Sequence, residues 1–176
     1  MMELKPIVGE SAINEEKAKT LYENSFPFLE KRSEAEQKRI MQNPLYKASF
    51  ISENEFEGIM YYWETENFLY LEHLAVLPEL RSKGIASRAL TVLKEKSGNK
   101  PIILEIDMPV DSVSKRRLAF YERNGFAMNE HKHIQPKYHK GDSDLELKIL
   151  SYPGKIDCEE YDAFVAFLNS EVAAKD

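Results

Sequence analysis

The stretch from Leu71 to Leu90, LEHLAVLPELRSKGIASRAL, constrains this chain more than any other. An apolar strand beginning at Phe68 ends near Val76, and Pro78 breaks its ladder. Arg81-Ser82-Lys83-Gly84-Ile85-Ala86 then leads into a helix expected over Ser82 to Ser97, with Ile85, Ala86, Ala89, Leu90 and Leu93 as its apolar positions and Gly98 as its stop. A strand that feeds a helix this way aims several backbone N–H groups and the positive end of the helix dipole at one point, the arrangement that binds a phosphate. Gly84 lets the backbone approach an anion where a Cβ would collide, Ala86 keeps the next position small, and Arg81 and Lys83 add positive charge. On spacing alone, an ordinary turn with a surface Arg and Lys explains the stretch equally well. Other phosphate loops fit worse: the Lys-Ser/Thr pair of a Walker loop and the three glycines of a dinucleotide fingerprint are both missing.

The remaining elements set the fold class. Glu3 to Val8 reads as a strand, Glu15 to Ser25 as a helix capped by Asn14, and Ser33 opens a second helix with Glu36 completing a capping box. Tyr46 to Ser52, Phe56 to Glu64 and Phe68 to Val76 form an expected antiparallel meander. After the helix at Ser82, Pro101 to Asp107 reads as a strand buried on both faces, a helix runs from Asp111 to Gly125, and strands lie near Phe126 to Gln135 and Leu145 to Leu150. A final helix, Asp157 to Asn169, carries Tyr161, Phe164, Val165 and Leu168 on one side; that stripe suits a cap on the core or a homodimer contact alike. The expectation is one α/β (α+β) domain over residues 1–176, with a C-terminal helical extension at about 155–170.

Composition narrows the partners. With 43% hydrophobic residues the chain is globular, and a formal net charge of -6 gives no support to nucleic-acid binding. The acidic turns Glu53 to Glu57 and Glu64 to Glu66 fit a cationic substrate or simple solvation. A single cysteine, Cys158, with no long apolar span and no apolar leader, is read as cytoplasmic, without a membrane partner.

Two motifs carry a family resemblance. Arg81-x-x-Gly84-x-Ala86 after Leu74-Ala75-Val76 resembles the acetyl-coenzyme A signature of the GNAT N-acetyltransferases, and Phe120-Tyr121-Glu122-Arg123-Asn124-Gly125-Phe126 is similar to that family's second hallmark, Tyr-Glu-x-x-Gly-Phe at a helix end. The resemblance is clear from about Phe56 to Leu150, loose before that, and absent after Tyr152. It implies a mixed, mostly antiparallel sheet of about seven strands flanked by helices, with Phe68 to Val76 and Pro101 to Asp107 splayed to admit pantetheine. It also implies coenzyme contacts from the backbone of Leu74, Ala75 and Val76, pyrophosphate contacts from Arg81, Ser82, Lys83, Gly84, Ile85, Ala86 and Ser87, and acetyl-CoA as co-substrate with no metal. The acceptor would be a small-molecule or peptide amine.

Acetyl transfer needs a base to take a proton from the amine, an acid for the leaving thiolate, and a donor for the oxyanion. Tyr121 is the acid by resemblance; without the motif it would be read as a core tyrosine beside Leu118. Ser114 stands where family members often carry a coenzyme-contacting Asn, and Arg117, in place of a usual small residue, could reach a phosphate. Glu105 interrupts the run Ile102 to Ile106, where an idle charge is costly, and resembles a strand glutamate that some members use as a base. Glu72 is the other candidate, and a strand bulge would decide whether it or His73 shares a face with Tyr70 and Leu74. Each glutamate is equally readable as half of a structural salt bridge, to Arg81 or Arg88. His131, His133 and His139 fit pocket lining better than metal ligation, since ligand-spaced Cys or acidic partners are missing. The competing function is a non-catalytic acyl-CoA-binding module on the same fold.

Overall fold

A computed structural model describes residues 1–173. They fall into two compact units, one made of Met1–Pro27 and Ser33–Ile102, the other of Phe28–Arg32 and the chain from Ile103 onward. The eight strands found among the described residues are mostly antiparallel and flanked by helices, a mixed α/β architecture.

The first unit is the expected meander. Strands β1 (Glu3–Pro6), β2 (Tyr46–Ser52), β3 (Phe56–Glu64) and β4 (Leu69–Val76) pair in that order, each antiparallel to the next. Alternation does not describe β3, where Ile59, Met60, Tyr61, Tyr62 and Trp63 are all buried, as in a strand covered on both faces. Helix α1 (Ala12–Ser25) packs on β3 and β4 through Ala18, Leu21 and Tyr22. Its cap is Ser11, whose hydroxyl accepts from Asn14 N, so Asn14 is the third residue of the helix rather than its cap. Helix α2 (Glu34–Ile40) is capped by Ser33, which accepts from Glu36 N; the Glu36 carboxylate takes Arg39 instead of closing the expected box. Helix α3 (Ile85–Ser97) buries Ile85, Ala89, Leu90 and Leu93. Gly58 allows β3 and β4 to meet closely, because a Cβ there would collide with the Ala75 carbonyl oxygen.

In the second unit, β8 (Glu146–Tyr152) lies between β5 (Ile102–Asp107) and β6 (Ala127–Met128), and β7 (His133–Ile134) also pairs with it. The expected strand from Phe126 to Gln135 is thus two short ones, which raises the strand number from seven to eight. Asn129 interrupts it. Its buried side chain donates to Ser151 Oγ at 2.8 Å and accepts Ile156 N at 3.0 Å, holding the chain to neighbours that a continuous ladder would not reach. Helix α4 (Ser112–Arg123) and helix α5 (Cys158–Phe167) both begin with complete capping boxes, at Asp111 and Asp157. Among the described residues no helix is long and apolar enough to cross a membrane.

Candidate active site

The basic turn occupies the first unit. After β4 comes a single 3-10 turn, Pro78–Leu80, and then two left-handed residues, Ser82 at φ 63° and Gly84 at φ 75°. A left-handed serine is costly and is typically retained where a loop must hold an unusual shape. Ser82 also explains why the helix begins three residues later than the expected start at Ser82: a positive φ cannot continue a right-handed helix. Gly84 is the cap, and it offers no side chain to the first turn. The first helical bond runs from Arg88 N to Gly84 O, so the N–H groups of Ile85 and Ala86 have no acceptor within the helix. They therefore present donors and the helix dipole to whatever lies outside.

Charge around this turn is partly committed. Arg81, exposed, donates through Nε to Val76 O at 3.2 Å, which ties the turn to the end of β4. Arg88 donates to Lys83 O at 3.0 Å and pairs with Glu53 at 3.2 Å, so one of the acidic turns has a structural partner. Lys100 does the same for Glu64 at 3.5 Å. Lys83 and Ser82 are exposed, Ala86 and Ser87 half-buried, and Ile85 anchors the turn in the core. The donor set fits a pyrophosphate: backbone amides, a glycine, and nearby cations.

Upstream on β4, the bulge foreseen as an alternative is present. Tyr61 pairs with His73 but Tyr62 pairs with Leu71, leaving Glu72 as the extra residue. Glu72 accepts from buried Trp63 Nε1 at 2.9 Å. His73, 2% exposed, sits among the rings of Tyr22, Phe26 and Tyr61. Leu74, Ala75 and Val76 continue the strand to the turn.

The second unit carries the proton-bearing groups. Tyr121 lies on α4, its ring against Phe120 and Phe126. Burial pushes its phenol up to about 12, against a downward pull from Arg117. Its backbone carbonyl accepts from Asn124 and Phe126, which closes the helix where Gly125 turns left-handed at φ 82°. Ser114 does not present a free hydroxyl: its Oγ accepts from Asp111 N at 3.1 Å and contacts Asp111 Oδ1, completing the α4 cap. Arg117 pairs with Asp107 at 2.6 Å on the surface. Glu105 is bonded to His133 Nε2, with side chains 7% and 3% exposed. Arg81 and Arg88, the partners foreseen for Glu105, bond elsewhere.

One acidic group was not anticipated. Glu30, in the 3-10 turn Phe28–Glu30, is half-buried, and its carboxyl is pushed up to about 7. Burial is the largest cause; Asp107 and Glu105 add to it, and Arg117 opposes it. Gln135 donates to Leu29 O at 2.5 Å and the His139 ring stacks on Phe28 at 4.2 Å, so the short turn is held from the far end of the sequence. No local pattern marks Glu30, which reads as one more charge in the surface run Glu30-Lys31-Arg32. Of the three histidines, His131 stacks on Tyr161 and His139 on Phe28; among the described residues no group of His, Cys, Asp or Glu is placed to hold a metal.

Residues 48–128 match the acetyltransferase (GNAT) domain. With the fold just described, this likens the chain to the GNAT acetyltransferases over that stretch. A Bacillus subtilis protein named as the acetyltransferase YjbC is 30% identical over 105 residues, 57% of this chain, and the chain spans about half of that relative, 52% of its length. Among solved structures, a protein from Bacteroides thetaiotaomicron named as a GNAT-family acetyltransferase superposes with a TM-score of 0.89 at 29% identity, covering 99% of both chains. An aminoglycoside 6'-N-acetyltransferase solved with coenzyme A shares the fold alone, with a TM-score of 0.60 at 15% identity over 85% of this chain and 95% of that one.

Proposed function

We propose that this protein is an acetyl-CoA-dependent N-acetyltransferase that passes the acetyl group to a primary amine by direct attack in a ternary complex. The observation that carries the reading is the helix start at Gly84, whose cap offers no side chain to the first turn, with its left-handed turn and the family motif around it. In this reading the N–H groups from Lys83 to Ser87 bind the coenzyme pyrophosphate, Arg81 and Lys83 add charge, and the backbone from Leu74 to Val76 bonds the pantetheine arm. The coenzyme-bound aminoglycoside acetyltransferase of the same fold supports the choice of coenzyme.

Tyr121 serves the leaving sulfur. A phenol at about 12 keeps its proton at neutral pH, and the departing thiolate, with a thiol pKa roughly 8.5, receives first a hydrogen bond and then the proton. Three carboxylates compete as the base. Trp63 donates to Glu72 and His133 contacts Glu105; Glu30, which has contacts of its own, carries a carboxyl pushed up to about 7, the range in which a general base is both ionised and effective. We therefore assign the amine proton to Glu30, a change from the two glutamates expected from sequence. The acceptor is a cation until it loses that proton, and the acidic residues Glu30 and Asp107 favour its approach.

The test is release of free thiol from acetyl-CoA across an amine panel, from polyamines to peptide N-termini and lysines. Thiol release that depends on an amine is the expected result. Tight coenzyme binding by calorimetry with no release for any amine would transfer the protein to the class of acyl-CoA-binding modules.

A further inference from the structure

Three contacts around His133 determine where its protons sit. Tyr161, on α5, lies 2.9 Å from the Lys132 carbonyl oxygen, and of those two oxygens only the phenol has a hydrogen, so the phenol donates. That commits its single proton. His133 Nδ1 lies 3.0 Å from the same phenol oxygen, so the hydrogen in this contact must come from the ring, as Nδ1–H. The other ring nitrogen, Nε2, is in short contact with Glu105 Oε1. A neutral imidazole protonated at Nδ1 has a bare lone pair at Nε2, and a carboxylate has only lone pairs. Two acceptors cannot bond without a proton between them. An additional proton therefore sits in the Glu105–His133 contact, either on the ring or on the carboxyl.

We infer that Tyr161 is a positioning residue that, by accepting from His133 Nδ1, obliges Glu105 and His133 to hold a shared proton, so that Glu105 is charge-balanced and does not act as the free base. The pair is dry enough for this to matter, its side chains being 7% and 3% exposed. Tyr161 is itself held in place: the His131 ring stacks on it at 4.2 Å and 2°, and His133 meets it edge-on. Burial, with Glu105 and Asp162, raises the Tyr161 phenol, so it remains a donor to Lys132. The inference gives the C-terminal helix, which lies outside the matched residues 48–128, a chemical task. It concerns the ring and the carboxyl themselves and holds whether or not the chain transfers acetyl groups.

The experiment is ¹⁵N NMR of the histidine rings, with ¹³C carboxyl detection of glutamate, on the full chain at neutral pH. Two patterns are expected under the inference: both His133 nitrogens of N–H type, or Nδ1–H with an accepting Nε2 and a protonated Glu105. A pyridine-type Nδ1 would overturn it, and so would Nδ1–H beside a bare Nε2 with an ionised Glu105. In Tyr161→Phe the Nδ1–H loses its acceptor, and His133 is expected to become a neutral ring donating through Nε2 to an ionised Glu105. An unchanged spectrum in that variant would remove Tyr161 from the role. If the variant does not fold, the wild-type pattern alone decides. Failure of amine-dependent thiol release would leave these spectra as they are, so the two readings fail separately.

Discussion

The basic turn after β4 and the acidic cluster around Glu105 are built in opposite ways. The turn is continuous: Leu74 to Ser87 is one stretch of chain, and its chemistry belongs mainly to backbone N–H groups whose direction is set by two left-handed residues. The cluster draws Glu30, Glu105, Asp107, Arg117, His133 and Tyr161 from five separate segments, and its chemistry belongs to side chains whose protons depend on one another. A site made of backbone tolerates changes of side chain but not of conformation. A site made of coupled side chains does the reverse.

The largest expected effect breaks the first half of that contrast. Gly84→Glu puts a side chain at φ 75°, brings a Cβ to within 3.3 Å of Arg88 Nη1, and adds negative charge where an anion should sit, so coenzyme binding measured by calorimetry is expected to vanish. Retained binding would detach the turn from the coenzyme. Next in size, Tyr121→Phe keeps the ring packing against Phe120 and Phe126 and removes only the proton. Turnover is expected to fall about 100-fold with coenzyme affinity nearly unchanged. Equal turnover in the two proteins would reduce Tyr121 to a packing residue.

The smallest and most discriminating effect concerns Glu30. Turnover is expected to rise with pH as its carboxyl ionises near 7, and Glu30→Gln should remove that inflection and lower the rate about tenfold at pH 8. Stability gives an independent reading. A carboxyl whose folded pKa is raised from 4.5 to about 7 contributes stability fully present below the lower value and lost as pH climbs through the upper one. Glu30→Gln should therefore be more stable than wild type at pH 8, by about 1–3 kcal/mol, with no such gain at pH 4, as chemical denaturation at the two pH values would record. A pH profile unaltered by the substitution would return the base role to another group.

The same contrast explains what the sequence revealed. β2 and β3 were legible to the residue because their polar turn and apolar runs are local, and the GNAT motifs were legible because each is one short stretch. Where a side chain had two local options, sequence could not choose: Ser11 rather than Asn14 caps α1, and Ser114 closes the α4 cap instead of standing free. The expected helix start at Ser82 lies three residues before the observed one at Ile85, because residue type carries no record of the positive φ at Ser82. The His131-x-His133 spacing did mark something, but the partners of His133 lie 28 residues away in both directions, at Glu105 and Tyr161, and no spacing rule reaches them. Glu30 was hidden for the same reason.

The passage of Phe28–Arg32 into the second unit, while Pro27 and Ser33 remain in the first, has a practical outcome for anyone dividing the protein. Cleavage after Ile102 would not yield the second unit as a fragment, since five residues with the anchors Phe28, Leu29 and Arg32 would depart with the other piece. Chimeras that exchange the C-terminal half with a relative inherit the same mismatch. A graft that carries those five residues along with the C-terminal half would preserve the native carboxylate beside Asp107; one that omits them would ask a foreign loop to supply it.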